Sequence, residues 1–289
     1  MKIKQIAKIK DGQDGAVRGN YLFRFDAVGH CYVYDLKDLE QACGEECQYI
    51  GEFCLDKADK IKPHSNAVMF GKEYYSADDE FPLLYTNIYN NYAKDGNTMK
   101  GVCLVYRLQR NETKFLTTLV QIIEIGFADN SDYWLSKGQD DIRPYGNFTI
   151  DPEKGIYYAF TMRDESSTTR YFSFNLPKVS DGNADSEYGV TRVVLSISDI
   201  IEYFDCEYHR FVQGAAFYKG KIYSLEGFTE SEENPPAMRI IDVNGKKQEK
   251  AVLFADFGLS IEPEMIDFYN DVCYYGDNHG NLYTIDFSV

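Results

Sequence analysis

One short phrase recurs five times along the chain, and a repeat of that kind restricts the fold more than any other feature. Its pattern is a polar residue, small residues, an aromatic or aliphatic pair, a turn and then an aromatic strand. It occupies residues 13–23 (QDGAVRGNYLF), 64–75 (HSNAVMFGKEYY), 143–158 (RPYGNFTIDPEKGIYY), 213–223 (QGAAFYKGKIY) and 264–274 (EMIDFYNDVCY). The last two align without gaps, and the others need a few inserted residues. Each phrase reads as a β-hairpin: a small-residue strand enters a Gly, Asn or Asp turn, and a β-branched or aromatic strand returns.

Behind each hairpin lies a third strand, at Cys31–Leu36, Val102–Leu108, Tyr171–Leu176, Met238–Val243 and Asn281–Phe287. A fourth follows four times, at Tyr49–Cys54, Lys114–Ile125, Thr191–Ile197 and Lys250–Phe257, and the fifth unit runs out of chain. The segment Lys2–Lys10 is a spare strand with no unit of its own. Used as the outer strand of the fifth unit it closes a ring and removes an exposed edge. The expectation is therefore an all-β chain, one domain over residues 1–289. It would be a β-propeller of five four-stranded blades, with the N-terminal strand closing the last blade. Two packed β-sandwiches are the competing arrangement, and a sixth blade would need a unit hidden in Phe115–Trp134. Long polar insertions are expected at Asn90–Thr98, Ala128–Asp141 and Ser180–Tyr188. Short helical turns are expected at Lys37–Ala42, Ile197–Phe204 and Glu262–Met265.

The formal net charge is −16 over 289 residues. Such a field repels phosphate backbones, and no local basic patch offsets it, so no nucleic-acid partner is expected. No apolar run of 18 residues exists, so no membrane span is expected. The N-terminus does not read as a signal peptide as it stands, and the seven cysteines are an odd count that argues against a disulfide framework. A cytoplasmic protein is the resulting expectation.

In a propeller the residues just before each innermost strand gather at one mouth of the central channel, where rigid sheets hold loop residues around a concavity. The repeat register places Gln13, Asp14, His64, Asn66, Arg143, Tyr145, Gln213, Glu262 and Glu264 in that ring. Donors, acceptors, acids and one imidazole together suit a polar small molecule; the same groups could equally satisfy backbone atoms at the strand starts. His64 could act as a proton acceptor or, with Glu264, as a metal ligand. Arg143 could clamp an anion or pair with Asp141. Cys43, Cys47 and Cys54 have loose zinc spacing without a fourth ligand and read as a solvated turn. Residues 277–281 (DNHGN) read as a hairpin turn, and 181–187 (DGNADSE) lacks calcium-loop spacing. No metal, no cofactor and no catalytic residue is assigned. Most of the 24 Tyr and 19 Phe are read as packing between blades.

The phrases at 212–224 and 262–267 resemble blade starts of the broad propeller superfamily that includes lactonase-like and quinoprotein-like repeats. The five-blade count resembles arabinanase- and xylosidase-type glycosidases. That resemblance implies three carboxylates at inner-strand starts, acting as base, modulator and acid. Asp14 matches the base, but the second blade offers His64 and Ser65, the third Arg143 and Tyr145, and the fourth Gln213. Asp151 lies in a turn away from the channel. A two-carboxylate hydrolysis is not matched. The expected function is a binding module for a carbohydrate-like ligand or a protein partner at the channel mouth. The alternative is a hydrolase or lyase acting on a carbohydrate or lactone-like substrate, with Glu262 or Glu264 and His64 as acid, base or metal ligands.

Overall fold

The computed structural model describes residues 1–88, 102–112, 114–127, 147–163, 168–207 and 212–288. Five sheets, each with an antiparallel four-stranded body, form the blades of a β-propeller. Blade 1 runs β2 (Gly15–Arg18), β3 (Tyr21–Phe25), β4 (His30–Asp35) and β5 (Gly51–Cys54), from the axis outward. Blade 2 runs β6 (Val68–Phe70), β7 (Leu84–Asn87), β8 (Val102–Asn111) and β9 (Lys114–Ile125). Blade 3 is β10 (Asn147–Asp151), β11 (Ile156–Arg163), β12 (Thr168–Asn175) and β15 (Glu202–Glu207). Blade 4 is β16 (Val212–Tyr218), β17 (Lys221–Glu226), β18 (Ala237–Asp242) and β19 (Lys247–Leu253). Blade 5 is β20 (Pro263–Tyr269), β21 (Val272–Asp277), β22 (Asn281–Asp286) and, outermost, β1 (Lys2–Lys8). The expected closure by the N-terminal strand is present: Lys2 faces Asp286 and Lys8 faces Asn281 along an antiparallel ladder.

The wedges between blades hold the core. Between blades 1 and 2, Phe23, Phe25, Phe53, Phe70, Phe81 and Phe115 pack mostly edge to face, with Phe70 stacked on Phe81. Between blades 3 and 4, Tyr171 stacks on Phe204 with ring centres 5.2 Å apart. Flat rings suit wedges that widen outward, which is why the strands are aromatic. At the axis the opposite holds, and backbones meet. A Cβ on Gly214 of β16 would lie 2.7 Å from the Glu264 carbonyl oxygen of blade 5, closer than real contacts allow.

Four expectations are corrected. Thr191–Ile197 is a strand, but it does not complete blade 3. β14 (Val190–Leu195) crosses to pair in parallel with β9, Thr191 opposite Gln121, and β13 (Asn183–Asp185) pairs with it. Blade 2 thus has six strands, and part of the expected Ser180–Tyr188 insertion is its outer edge. The blade 3 outer strand is β15, with Phe204 and Cys206 buried. In blade 2 the returning strand is not the aromatic pair at 74–75. Tyr74 and Tyr75 are exposed, and residues 71–83 form a loop closed by Gly71 N–H to Leu83 O and Leu83 N–H to Glu73 O. Buried Leu83, Leu84 and Tyr85 supply the return. Glu262–Met265 is not a helical turn but the start of β20. The turn expected at Ile197–Phe204 shrinks to a 3-10 turn at Ile197–Asp199, and Lys37–Ala42 coincides with the helix α1 (Leu36–Gln41). The insertions Asn90–Thr98 and Ala128–Asp141 lie outside the described residues. All seven cysteines are free thiols. No helix among the described residues is long and apolar enough to cross a membrane.

Candidate functional site at the channel mouth

The inner strands start at one end of the axis, and three of them start on a bulge. In blades 4 and 5 the ladder skips one residue between Val212 and Gly214 and between Pro263 and Met265. The skipped residues are Gln213 and Glu264. In blade 1, Gln13 and Asp14 both face Phe25, since Gln13 N–H donates to Phe25 O and Phe25 N–H donates to Asp14 O. A bulge re-aims the extra side chain out of the sheet's alternation. In these three blades the repeat therefore turns a polar side chain at the strand start toward the axis end.

These side chains bind one another across blades. His64 Nε2 lies 3.0 Å from Gln13 Oε1, and Gln13 Nε2 donates to Glu264 Oε1 at 3.2 Å. With the Gln13 oxygen as acceptor, the proton of that contact sits on His64 Nε2. Gln213 Nε2 donates to Glu262 Oε1 at 2.5 Å, and Asn278 Nδ2 donates to Glu262 Oε2 at 2.9 Å. Asp14 Oδ2 accepts from Val68 N–H of blade 2 at 2.7 Å. Asn147 Nδ2 donates to Val212 O, joining blades 3 and 4. Asn66 is the exception: its side chain is used within blade 2, accepting from Asn87 Nδ2. Arg143 and Tyr145 lie outside the described residues.

Depth separates the ring into two layers. Asp14, Asn66, Asn147, Gln213 and Glu264 are buried, whereas Gln13, His64, Glu262 and Asn278 are partly exposed. Apart from Asn66, the deep layer clasps neighbouring blades, and the upper layer faces the mouth. Burial pushes the Asp14 and Glu264 carboxyls well above the usual range. Glu262, half-buried, is also raised by burial. The counter-charge is Arg24 of β3, fully buried, which donates through Nη2 to Gly12 O and Asp277 O. A lone arginine inside the apolar strand YLFRF is the sequence sign of a buried charge, but it falls just past the recurring phrase, which ends at Phe23. Asn147 and Asn278 were likewise missed. Asn278 sits in a hairpin turn that does have Gly280 at φ 78°, and its reach to Glu262 is visible only in three dimensions.

Farther down the channel, Asp267 of β20 accepts from Val17 N–H at 2.7 Å and from Phe268 N–H at 2.8 Å. Burial pushes its carboxyl up to about 7. A raised carboxyl contributes stability that is complete below its unfolded value near 4 and is lost as pH rises through about 7. Asp14 and Glu264 act in the same direction. The melting temperature is therefore expected to fall between pH 5 and pH 8, and Asp267→Asn to flatten that fall by several degrees. A variant with the wild-type slope would remove Asp267 from this account.

No protein-family model matches the chain, and no curated protein matches it. Solved structures do resemble it. The glutaminyl cyclase of Myxococcus xanthus superposes with a TM-score of 0.50 at 8% identity, over 99% of this chain and 96% of that one. The computationally designed Ika8 protein gives 0.35 at 9% identity, over 97% and 99%. Hydrazine synthase of Kuenenia stuttgartiensis gives 0.40 at 11%, and the match spans 91% of this chain but 61% of the matched chain. At such identities the cyclase likeness is one of fold alone.

Proposed function

We propose that this chain is a propeller binding module that recognises a polar, carbohydrate-like small molecule at the mouth of its channel. The observation that carries the reading is the hydrogen-bonded upper layer. Gln13, His64, Glu262 and Asn278 are partly exposed, yet each is already held by a neighbouring side chain. Groups fixed before a ligand arrives lose little conformational entropy on binding. Amide, imidazole and carboxylate together offer the donors and acceptors that sugar hydroxyls need. A hydrolase or lyase reading draws on Glu262, whose raised carboxyl suits a general acid. Against it, the Gln13 amide stands between His64 and Glu264 and cannot exchange protons as a titrating group does.

A thermal-shift and calorimetric screen against neutral and acidic mono- and oligosaccharides tests this. A ligand at about 100 times its Kd stabilises the native state by about 2.7 kcal/mol, a rise of several degrees. Glu262→Ala is expected to lower the affinity about tenfold or more, since it leaves Gln213 and Asn278 without their shared acceptor. Chromatography of the incubated sugars separates binding from turnover. Silence across the whole panel would reject the carbohydrate reading and favour a protein partner on the same face.

A further inference from the structure

A cleft of about 600 Å3 opens beside the mouth, between the end of β1 and the linker from α1 to β5. Its size lies within the roughly 300–1,000 Å3 range of small-molecule sites. Its walls are tied together. Lys8 N–H donates to Glu45 O and Cys47 N–H to Lys8 O, so the linker adds to the free edge of β1. Lys10 N–H donates to the Tyr34 hydroxyl at 3.0 Å, joining blade 5's outgoing chain to blade 1. The cleft is therefore a fixed feature of the ring closure and not a gap between loose loops.

Tyr49 lines this cleft and is 37% exposed. Its aromatic neighbours hold it at steep angles: Tyr32 at 5.2 Å and 58°, Tyr34 at 6.4 Å and 79°. Among the described residues no ring stacks flat against it. The same cleft is lined by Lys8, Lys10, Asp11, Glu46, Gln48 and Asn278, donors and acceptors in which the two lysines balance the two carboxylates. An aromatic face beside planar polar groups is the arrangement that suits the apolar face and hydroxyl rim of a pyranose or furanose ring. Asn278 belongs to both places, since it lines the cleft while its Nδ2 donates to Glu262 at the mouth.

Resting on the carbohydrate reading of the mouth, we infer that the ligand is an oligosaccharide of at least two rings. One ring is held by the Glu262 layer, and the next is stacked on Tyr49 in the cleft between blades 5 and 1. Asn278 bridges the two subsites. Length, not only sugar identity, then sets affinity.

The test is calorimetric titration with xylose and xylotriose, arabinose and arabinotriose, glucose and cellotriose, and galactose and galactotriose. A trisaccharide is expected to bind at least tenfold tighter than its monomer. Tyr49→Ala should remove about five- to tenfold of that advantage, as loss of one aromatic contact does, with monomer binding unchanged. Tyr49→Phe should retain it, because the ring face and not the hydroxyl carries the contact. Glu262→Ala should weaken monomer and trisaccharide alike. Melting curves of each variant confirm that it folds. If sugars bind without a length advantage, or Tyr49→Ala leaves that advantage intact, the cleft subsite is wrong while the mouth reading stands. If no sugar of the series binds the wild-type chain, both fall together.

Discussion

A chain starting at Lys10, without β1, is expected to lose its cooperative unfolding transition and to aggregate. The removed segment supplies Ile6, Ala7 and Ile9, all buried in the wedge where Val17, Leu22, Tyr34, Leu39, Met265 and Leu282 meet. Burying two isoleucines is worth about 1.5–3 kcal/mol each, before any backbone pairing is counted. The ladder from Lys2–Asp286 to Lys8–Asn281 is lost as well, and with it the backbone bonds from Gly44 and Cys47 that cover β1. What remains is β22 as an open edge of unpaired N–H and C=O groups, the arrangement that templates intermolecular pairing. A total loss above about 5 kcal/mol removes a large part, or all, of the roughly 5–15 kcal/mol by which a folded domain is ordinarily stable. Because β1 is a strand donated from the far end of the sequence, a synthetic peptide of residues 1–10 should restore it in trans. Refolding the truncated chain with that peptide should recover a melting transition and monomeric elution, and a scrambled peptide should not. A truncated chain that melts like the full one would show that the ring does not depend on its clasp.

The closing strand was legible because its evidence is local and arithmetical: four strands per unit, one unit short by one, one strand left over. The inner hairpins were legible for the same reason, since small residues, Gly or Asn turns and aromatic returns all lie within about a dozen residues. Partner choice is different. TRVVL reads as a strand and is one, but nothing in its own alternation says that it pairs with β9 of the preceding blade. The 71–83 loop misled in another way. Tyr74 and Tyr75 have strand propensity, but buried Leu83, Leu84 and Tyr85 take the place beside β6. At the mouth, the gap-free register of Gln213 with Glu264 corresponds to two bulges at equivalent places, which no propensity scale contains. The hydrogen-bond partners of those residues come from chain positions up to 251 apart, and the bond from Arg24 to Asp277 spans 253.

Arg24→Met is expected to lower the melting temperature by on the order of 10 °C at pH 8, from about 3–5 kcal/mol for removing one member of a buried charge cluster. Arg24 has no exposed surface, and its Nη2 holds the Gly12 and Asp277 carbonyls of the chain crossing into the mouth and of β21. Methionine fills much of the volume, so packing contributes less than charge. The carboxyls of Asp14 and Glu264 lie close enough for Arg24 to pull both down, against a burial effect that pushes both up. Without the guanidinium they rise further above their unfolded values. A carboxyl raised in the folded state contributes stability below its unfolded pKa and loses it as pH climbs through the folded one. The variant therefore loses stability over a wider span of pH, and its deficit against wild type should grow from pH 5 to pH 8. Adding Asp14→Asn and Glu264→Gln removes the uncompensated acids and should recover part of the loss at pH 8 while changing little at pH 5. Melting curves of the three chains across that range decide it. A deficit that is the same at both ends would mean that Arg24 acts through its two carbonyl bonds alone. A pH-dependent deficit would mean that the buried floor beneath Gln13 and Glu262 is held by charge balance, and that the mouth's shape depends on one arginine outside it.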